Sequence, residues 1–366
     1  MIKVLVHYAE IGLKGGNRGI FENQLIKNIK IALKNPSLQI IKAQKQIVIS
    51  GGNINLAKLK TVFGIAWFAS VTSVDNNQPA IAAAVLKISE PKKTFAVRAH
   101  HHLEVAIGDI IRTKKKIKVD LSNPQQTIYI KEFNHQALIF NQKIPGPGGL
   151  PVGTSGKVLC LLSGGFDSIA AAYLLAKRGA QVDFLHFHVF PDEKKVLASK
   201  IMAITRKLKN FTLSQKLYLA SYIPFQLKVL DLGRQDEKQE LVVYRRLMVK
   251  AGEAIAKECG YQALVLGDSL GQVASQTLEN ICAVDQAVDI PIFRPLIGMD
   301  KKDIIDLVRQ IGLESETNKP YKDCCSLIST HPATRANLAK IQMIEKSIKI
   351  EAIIKEIVKN VSVITL

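Results

Sequence analysis

The residues most able to do chemistry form the segment SGGFDS at residues 163–168. It follows the apolar run 158–162 and opens a helix-like stretch at 168–178, so a strand, a glycine-rich turn and a helix start come in order. The backbone N–H groups of such a turn and the positive end of the helix attract phosphate. Gly164 and Gly165 allow the backbone to approach an anion closely. The segment predicts a phosphate site, and the alternative is a plain Ser/Gly turn before a helix.

The side chains of the same segment add polar groups to this site. Ser163 and Ser168 supply hydroxyl donors, and Asp167 brings a carboxylate to the place where an accompanying metal ion would sit. The segment is not a Walker motif, because no Gly-Lys-Ser/Thr follows the glycines. It resembles the SGGxDS loop of the ATP pyrophosphatases, enzymes that cleave ATP to AMP and pyrophosphate while adenylating a substrate.

The elements around this loop alternate between strand and helix patterns. After residue 156 the sequence predicts strands at 158–162, 182–187, 227–230 and 263–266, with helices at 168–178, 194–208 and 239–259. This alternation is typical of a parallel sheet with helices on both faces. Ligands of such sheets bind beyond the carboxyl ends of the strands, which is where SGGFDS falls.

Charge is distributed unevenly along the 366 residues, whose formal net charge is +19. Residues 1–156 contain 21 Lys+Arg against 8 Asp+Glu, a balance of +13, whereas residues 157–366 contain 29 against 23, a balance of +6. The cluster 112–118 alone holds five basic residues in seven. A polyanion that docks on the N-terminal half is the natural inference, and solvated lysine faces are the alternative. The Pro- and Gly-rich segment 141–156 predicts a linker.

Length and composition exclude several classes of protein. The chain is long enough for two or three domains with cores of their own. No apolar run approaches the ~18 residues of a membrane span, and the first ten residues show no signal-peptide pattern, so a soluble, cytoplasmic protein with no membrane partner is expected. The cysteines contain no C-x-x-C pair, which argues against a zinc ribbon.

Several segments together resemble the tRNA uridine 4-sulfurtransferases, the ThiI-type 4-thiouridine synthetases. YAEIGLKG at 8–15 resembles the opening of that family, and GDSLGQVASQT at 267–277 resembles its GESLGQVASQT signature. Further stretches match in the same order, namely Tyr244-Arg245-Arg246, Arg294-Pro295-Leu296 with Asp300-Lys301, and PYKDCC at 320–325. The resemblance covers most of the chain.

The resemblance implies an α/β architecture in which α+β domains precede a doubly wound, Rossmann-like parallel sheet. It implies a ferredoxin-like domain at 1–55, a shortened THUMP RNA-binding domain at 56–140, a linker at 141–156 and an ATP pyrophosphatase domain at 157–366. The shortening falls near 100–109, where His100-His101-His102, read as a loop, replaces a basic stretch. The rhodanese-like domain of some members is not expected, because the chain stops at Leu366.

The resemblance also implies a reaction and its participants. ATP, with Mg²⁺, activates a uracil carbonyl oxygen of tRNA, pyrophosphate leaves, and persulfide sulfur displaces AMP to give 4-thiouridine. A cysteine desulfurase supplies the sulfur, and many members also feed thiazole synthesis for thiamine. Asp167 is the candidate metal or leaving-group carboxylate and Lys301 the candidate cation over developing charge. The implied nucleotide contacts are Leu161, Leu162, Ser163, Gly164, Gly165, Ser168, His186, Phe187, Arg245, Gly267 and Gln276.

Sulfur delivery requires a nucleophilic or relay thiol. Cys325 is the preferred candidate by resemblance, Cys324 is the alternative, and a purely structural pair remains a third interpretation. Cys160, Cys259 and Cys282 lie in apolar runs and are interpreted as buried hydrophobic thiols.

Two other functions remain open from the sequence. The first is an ATP pyrophosphatase-type ligase that acts on a small molecule, which gives no reason for the basic N-terminal half. The second is a tRNA-binding protein without catalysis, which gives no reason for SGGFDS, Lys301 and Cys325 together. The sequence leaves open whether the chain forms a homodimer. Asp268 stands where the family has Glu, at a position that the resemblance implies is close to the nucleotide.

Overall fold

The computed structural model describes residues 3–43, 46–91, 93–230, 233–324, 328 and 332–366. The chain divides into two compact units, Met1–Pro151 and Val152–Leu366. The boundary at residue 151 lies inside the segment 141–156. Before that boundary the segment pairs with the first unit, since the Gly146 N–H donates to Ala66 O at 3.0 Å and the Gly148 N–H donates to Ile65 O at 2.9 Å.

The described residues of the first unit form an eight-stranded sheet in the order β2-β3-β1-β4-β7-β6-β5, with β8 paired to β4. Its strands are β1 (Lys3–His7), β2 (Gln39–Ala43), β3 (Gln46–Ser50), β4 (Trp67–Asp75), β5 (Phe95–Arg98), β6 (Gln126–Phe133), β7 (Gln136–Phe140) and β8 (Ile144–Pro145). Strand β4 is long enough to pair with β1 through residues 67–71 and with β7 through residues 72–75. It therefore joins the two halves of the sheet.

Helices cover the two halves of this sheet separately. They are α1 (Arg18–Leu33), α2 (Leu56–Leu59), α3 (Gln78–Ile88) and α4 (His101–Lys115). One core packs Leu25 and Ile29 of α1 against Val4 and Ile49 of the sheet. A second core forms where α3 and α4 bury apolar side chains against β5, β6 and β7. Each half thus buries an apolar face of its own, as a stable layer requires.

The described residues of the second unit form a six-stranded sheet in the order β13-β12-β9-β10-β11-β14. Its strands are β9 (Lys157–Leu161), β10 (Gln181–His188), β11 (Lys216–Ser221), β12 (Ala263–Val265), β13 (Ile292–Phe293) and β14 (Ser362–Thr365). All neighbouring pairs are parallel except β11 with β14. The helices are α5 (Phe166–Lys177), α6 (Lys194–Leu197), α7 (Lys200–Thr212), α8 (Ile223–Val229), α9 (Arg234–Glu237), α10 (Glu240–Cys259), α11 (Leu278–Asp285), α12 (Lys301–Gln310), α13 (Glu314–Thr317), α14 (Leu338–Ser347) and α15 (Ile350–Lys359).

The order of these strands creates a switch point between β9 and β12. From β9 the chain proceeds through α5 to β10 and through α7 to β11, and it then returns through α10 to β12 on the other side of β9. Right-handed crossovers therefore put α5 and α7 on one face of the sheet and α10 on the other. Such a doubly wound sheet binds its ligand beyond the carboxyl ends of the strands at the switch point. The predicted fold class is confirmed.

Three local predictions were wrong. Residues 227–230 do not form a strand: the apolar run lies in and just after α8, which Pro224 helps to start, and the strand is Lys216–Ser221. The helix predicted at 194–208 is two helices, because Ser199 adopts an extended conformation and caps α7. The histidine run at 100–102 opens α4 rather than forming a loop. Among the described residues, no helix combines the length and the apolar character that crossing a membrane requires.

Candidate nucleotide and sulfur-transfer site

The SGGFDS loop connects β9 to α5 in the conformation that its glycines permit. Gly164 has a φ of +80°, a left-handed backbone conformation that glycine adopts without strain, and Gly165 precedes the first turn of α5. The Gly165 N–H donates to Ser163 Oγ at 3.3 Å, and the Ser163 and Ser168 hydroxyl oxygens lie 3.3 Å apart. The loop thus sets two hydroxyl groups and a helix N-terminus at the carboxyl end of β9, where an anion is favoured.

Asp167 is the centre of a charged cluster beside this loop. The Lys301 ammonium donates to both carboxylate oxygens of Asp167 at 2.8 Å, and the Gln272 amide donates to Oδ2 at 3.1 Å. Lys301 is the first residue of α12, and its side chain is 44% exposed. Residues separated by more than 100 positions therefore meet at one carboxylate, so Asp167 and Lys301, two of the predicted catalytic residues, are brought together.

Gly267, just beyond β12, touches the backbone of the phosphate loop. A Cβ at Gly267 would lie 2.6 Å from the Asp167 carbonyl carbon and 2.7 Å from the Ser168 nitrogen. Such distances are well inside van der Waals contact, and the atoms are backbone that cannot rotate away. The close approach explains why glycine occupies this position: it lets the end of β12 pack directly on the start of α5.

Asp268 joins two arginines from different elements. Its carboxylate accepts from the Arg245 guanidinium at 2.7 and 2.8 Å and from Arg294 Nε at 2.9 Å. Arg294 also donates to Asp285 at 2.6 and 3.2 Å. Arg245 further donates to Ser275 O at 3.0 Å. The side chains of Asp268, Arg245 and Arg294 are all nearly buried. This network holds Arg245 in place, since one terminal nitrogen of its guanidinium makes charge-assisted contacts to both oxygens of Asp268 and the other donates to a backbone carbonyl.

These elements surround a cavity of about 260 Å³ at the switch point. One part of its wall is apolar and contains Leu185, Met248 and Leu266, and another carries the polar groups of the loop. Predicted site residues that line it are Leu161, Leu162, Ser163, Asp167, Ser168, Phe187, Arg245, Gly267, Gln276 and Cys324. An apolar pocket with a few convergent polar groups next to a phosphate loop has the character of a nucleotide site.

His186 is not among the residues that line this cavity. It is 1% exposed, and its ring nitrogens contact Leu162 O at 2.6 Å and Tyr321 Oη at 2.7 Å. Burial lowers the pKa of His186 to about 4, so the ring is neutral at physiological pH. Its role as a direct nucleotide contact remains a prediction. Gly164 and Gly165 likewise belong to the loop rather than to the cavity wall.

The cysteines fall into three environments. Cys160 is buried, and burial raises the pKa of its thiol to about 12, so it is not a ready nucleophile. Cys259 and Cys282 are exposed, so the prediction that they are buried was wrong: each faces outward from its helix. Cys324 is 2% exposed, lines the cavity and has its Sγ 3.4 Å from Phe187 O. Cys325, the preferred relay thiol, lies outside the described residues.

Three residues of this site had no predicted role, namely Gln272, Arg294 and Tyr321. Each stands inside a segment that carried the family resemblance, GQVASQT, RPL and PYKDCC respectively. Their partners are distant in sequence, since Gln272 bonds to Asp167 and Tyr321 bonds to His186. The segments therefore pointed to the site, but the contacts depend on how the strands are ordered.

Both parts of the chain match a known family. Residues 153–350 match the family model described as thiamine biosynthesis protein (ThiI), and residues 3–69 match the ThiI ferredoxin-like domain. A Thermoanaerobacter sp. (strain X514) protein described as a "probable tRNA sulfurtransferase" is 37% identical over 92% of this chain and 93% of its own length. The chain belongs to the ThiI family of tRNA sulfurtransferases. The resemblance inferred from the sequence is thereby confirmed.

Further proteins and solved structures match most or all of the chain. An Acetivibrio thermocellus protein with the same description is 33% identical over 99% of this chain and 98% of its own length. The crystal structure of a 4-thiouridine synthetase–RNA complex with bound ATP superimposes with a TM-score of 0.87 at 30% identity, covering 100% of both chains. A Pyrococcus horikoshii structure, with a TM-score of 0.64 and 22% identity over 86% of this chain and 100% of its own, supports the fold alone.

Proposed function

We propose that this tRNA sulfurtransferase uses ATP and a persulfide to convert a uridine of tRNA to 4-thiouridine. The observation that carries the proposal is that the SGGFDS loop and the thiol of Cys324 line one cavity, to which Asp167 of the loop also belongs while its carboxylate is paired with Lys301. The solved relative with bound ATP and RNA supports the same ligands for this chain. The protein would act in the cytoplasm, where its tRNA substrate is found.

The first step would be adenylation of the uracil carbonyl oxygen. That oxygen attacks the α-phosphorus of ATP, the bond from this phosphorus to the bridging oxygen breaks, and pyrophosphate leaves. Catalysis of this kind consists mainly of positioning and charge stabilisation. The loop N–H groups, the Ser163 and Ser168 hydroxyls and the N-terminus of α5 would hold the phosphates, and Lys301 would stabilise charge on the leaving group.

The residues present fit a Mg²⁺ ion that accompanies the nucleotide. Within the described chain, no group of three or more His, Cys, Asp or Glu side chains is placed to hold a metal ion by itself. Mg²⁺ in nucleotide sites commonly uses one or two carboxylates together with phosphate oxygens. Asp167 would be that carboxylate here, and the ion would neutralise phosphate charge when bound. Because Lys301 contacts both oxygens of Asp167, its ammonium would have to move aside.

The second step would transfer sulfur. The terminal sulfur of a cysteine persulfide attacks C4 of the activated uracil, and AMP departs with the former carbonyl oxygen. A second thiol then breaks the remaining S–S bond and is itself oxidised to a disulfide, which leaves the sulfur on C4. Cys325 is the proposed carrier and Cys324 the alternative, with a cysteine desulfurase as the source of the persulfide. The same chemistry would allow the protein to supply sulfur for thiazole synthesis.

The first unit would dock the tRNA. Residues 1–151 hold 21 Lys+Arg against 8 Asp+Glu, and the basic side chains at the end of α4, Arg112, Lys114 and Lys116, are exposed. Phosphate neutralisation by such side chains supplies binding without sequence information, and helical RNA is recognised largely by shape. We assign the ferredoxin-like domain to 1–55 and the THUMP domain to 56–140, and we leave the oligomeric state open.

A pyrophosphate-release assay tests this proposal. The protein is mixed with radiolabelled ATP, with or without unmodified tRNA, and 4-thiouridine is measured after a persulfide donor is added. We expect release that depends on tRNA, followed by thiolation. Release without tRNA, or release stimulated by a small amine instead, would favour a small-molecule ligase. Bound tRNA without any release would favour a non-catalytic binder.

A further inference from the structure

The segment 321–324 is attached to the carboxyl end of β10 by two contacts. The Tyr321 hydroxyl lies 2.7 Å from His186 Nε2, and Cys324 Sγ lies 3.4 Å from Phe187 O. The partners are consecutive residues of one strand. The ring of Tyr321 also packs edge-on against Phe190, with ring centroids 5.6 Å apart. A short piece of chain next to the cavity is therefore held on the sheet from both of its ends.

The other face of His186 contacts the chain just before the phosphate loop. Its Nδ1 lies 2.6 Å from Leu162 O, and Leu162 precedes Ser163 directly. The ring is neutral, and a carbonyl oxygen can only accept, so Nδ1–H donates to Leu162 and Nε2 accepts from the Tyr321 hydroxyl. One hydrogen-bonded path thus runs from the start of the phosphate loop, through a single imidazole, to Tyr321.

Because His186 and Cys324 are buried, loss of these hydrogen bonds is unfavourable. His186 is 1% exposed and Cys324 is 2% exposed, so water does not readily replace a lost partner. A buried acceptor left without its donor is unfavourable, which favours the arrangement in which Tyr321 stays docked. The placement of Cys324 at the cavity is therefore supported both by its own contact with Phe187 and by a bond made three residues earlier in the chain.

We propose that His186 and Tyr321 are positioning residues that hold the segment 321–324, and with it the thiol of Cys324, at the nucleotide cavity. The inference rests on the proposed function in one respect, namely that correct positioning of this segment places the sulfur where it can attack the activated uridine. It does not require His186 to touch the nucleotide. Loss of the link should impair the sulfur step while sparing the ATP step.

The decisive variant is Tyr321→Phe, which removes the hydroxyl and keeps the ring that packs on Phe190. Its matched control is Tyr261→Phe, which removes a hydroxyl that donates to Asp183 at 2.9 Å in the same unit but away from the cavity. Three quantities are measured for each: ATP affinity, tRNA-dependent pyrophosphate release and 4-thiouridine formation. The rate at which iodoacetamide alkylates Cys324 is measured without nucleotide or tRNA, by fragment-ion mapping that separates it from Cys325.

For Tyr321→Phe we expect Cys324 alkylation to rise about tenfold and thiolation to fall about tenfold, because a misplaced reacting group slows only the step that it serves. ATP affinity and pyrophosphate release should stay within about twofold of wild type, as should every quantity for Tyr261→Phe. A second variant, His186→Asn, keeps an amide donor on the Leu162 side but cannot reach Tyr321, and should reproduce the alkylation result.

The outcomes separate this inference from the proposed function. Unchanged Cys324 alkylation in Tyr321→Phe would overturn the positioning role, and so would a parallel loss of pyrophosphate release and thiolation. If wild-type protein releases no pyrophosphate with tRNA, the proposed function fails, but the alkylation comparison still decides whether the two residues hold the segment.

Discussion

The Asp167 carboxylate accepts hydrogen bonds from two side chains that differ in charge. Lys301 contributes a full positive charge to both oxygens, whereas Gln272 contributes one neutral amide donor. A charge-assisted contact is roughly twice as strong as a neutral one, so Lys301 dominates the electrostatics of the carboxylate. When phosphates enter, the ammonium has a competing anionic partner, whereas the amide can remain on Asp167 and keep it oriented.

This geometry predicts that Lys301→Ala abolishes thiolation while tRNA binding stays near normal, because charge stabilisation acts on the reaction and not on docking. Asp167→Ala should behave in the same way. Thiolation is measured by 4-thiouridine content and tRNA binding by a filter assay. Removal of one preorganised charged donor lowers the rate of such reactions by about 10²–10³.

The neighbouring residue offers a control. Lys302 has an 86% exposed side chain whose ammonium lies 3.3 Å from Asp306 on the same helix. Lys302→Ala deletes the same charge one position away, and exposed pairs contribute little. It should thiolate at the wild-type rate. Substantial thiolation by both Asp167→Ala and Lys301→Ala would contradict the site assignment.

The buried His186 predicts a pH dependence of stability. The pKa of His186 is about 4 in the folded protein against an ordinary value of 6.5, so protons bind the unfolded chain more tightly. Its contribution to stability is complete above about pH 6.5 and is lost as pH falls towards about 4, a difference of about 3 kcal/mol over that window. Urea unfolding of wild type and His186→Gln from pH 7.5 to 4.5 measures it.

Wild type and His186→Gln must be compared because other groups titrate in a similar pH range. Burial lowers the pKa of His188, and burial raises the pKa of Glu240 to about 7, an effect of opposite sign. The contribution of Glu240 is common to wild type and His186→Gln, and His188 is present in both, where only its repulsion with His186 differs. The gap in unfolding free energy between the two should narrow as pH falls, and parallel curves would contradict the prediction.

At the scale of elements, the packing of β12 on α5 depends on the absence of a side chain at Gly267. Gly267→Ala would place a methyl group 2.6 Å from the backbone carbonyl carbon of Asp167, so one of the two elements must move. Overpacking of this kind costs about 1–3 kcal/mol. We expect weaker ATP binding together with lower stability, measured by calorimetric titration and urea unfolding.

Gly298→Ala is the matched substitution. A Cβ at Gly298 would meet nothing within 4 Å, and its φ is not in the left-handed range. The variant should bind ATP as wild type does and unfold at the same urea concentration. If Gly267→Ala were equally silent, the contact between the strand end and the helix start would be unimportant for the site.

The sequence could predict those structural features that are formed by consecutive residues. The apolar run at 158–162, the glycines at 164 and 165 and the following helix reside in consecutive residues, and the structure has them as expected. The strand prediction at 227–230 was wrong because an apolar run that short is consistent with either a strand or a helix. The proline at position 224 was the available signal, since it favours a helix start.

Contacts between distant segments were not predictable in the same way. Asp268 was recognised as a departure from the family, but its two arginine partners lie in α10 and just after β13. They meet only because β12 lies between β9 and β13 in the sheet. Burial of Cys324 likewise depends on β10, 137 residues away in sequence. Sequence patterns found the segments, whereas strand order determined which side chains touch.

At the scale of the whole molecule, charge separates the two compact units. The first carries the +13 balance and the second the +6 balance. If the first unit docks tRNA, affinity should depend on salt and on its exposed cations more than on those of the second unit. The exposed Lys114 and Lys118 at and after the end of α4 are suitable probes.

We predict that Lys114→Glu with Lys118→Glu weakens tRNA binding at least about tenfold and makes it less sensitive to salt, because fewer counterions are released. ATP binding should be unchanged. The matched pair is Lys355→Glu with Lys359→Glu, exposed on α15 of the second unit, which reverses the same charge. Equal weakening by both pairs would mean that attraction is a property of total charge and not of the first unit.

Strand β4 has a consequence for how the first unit unfolds. Its first residues bond to β1 and its last to β7, so neither half of the sheet can lose it without exposing the ladder of the other. Amide protons of the two halves should therefore exchange with solvent through a shared opening, at similar protection, rather than as two separate foldons. A protein cut near residue 55 would leave an unpaired strand edge on each piece, a surface prone to self-association.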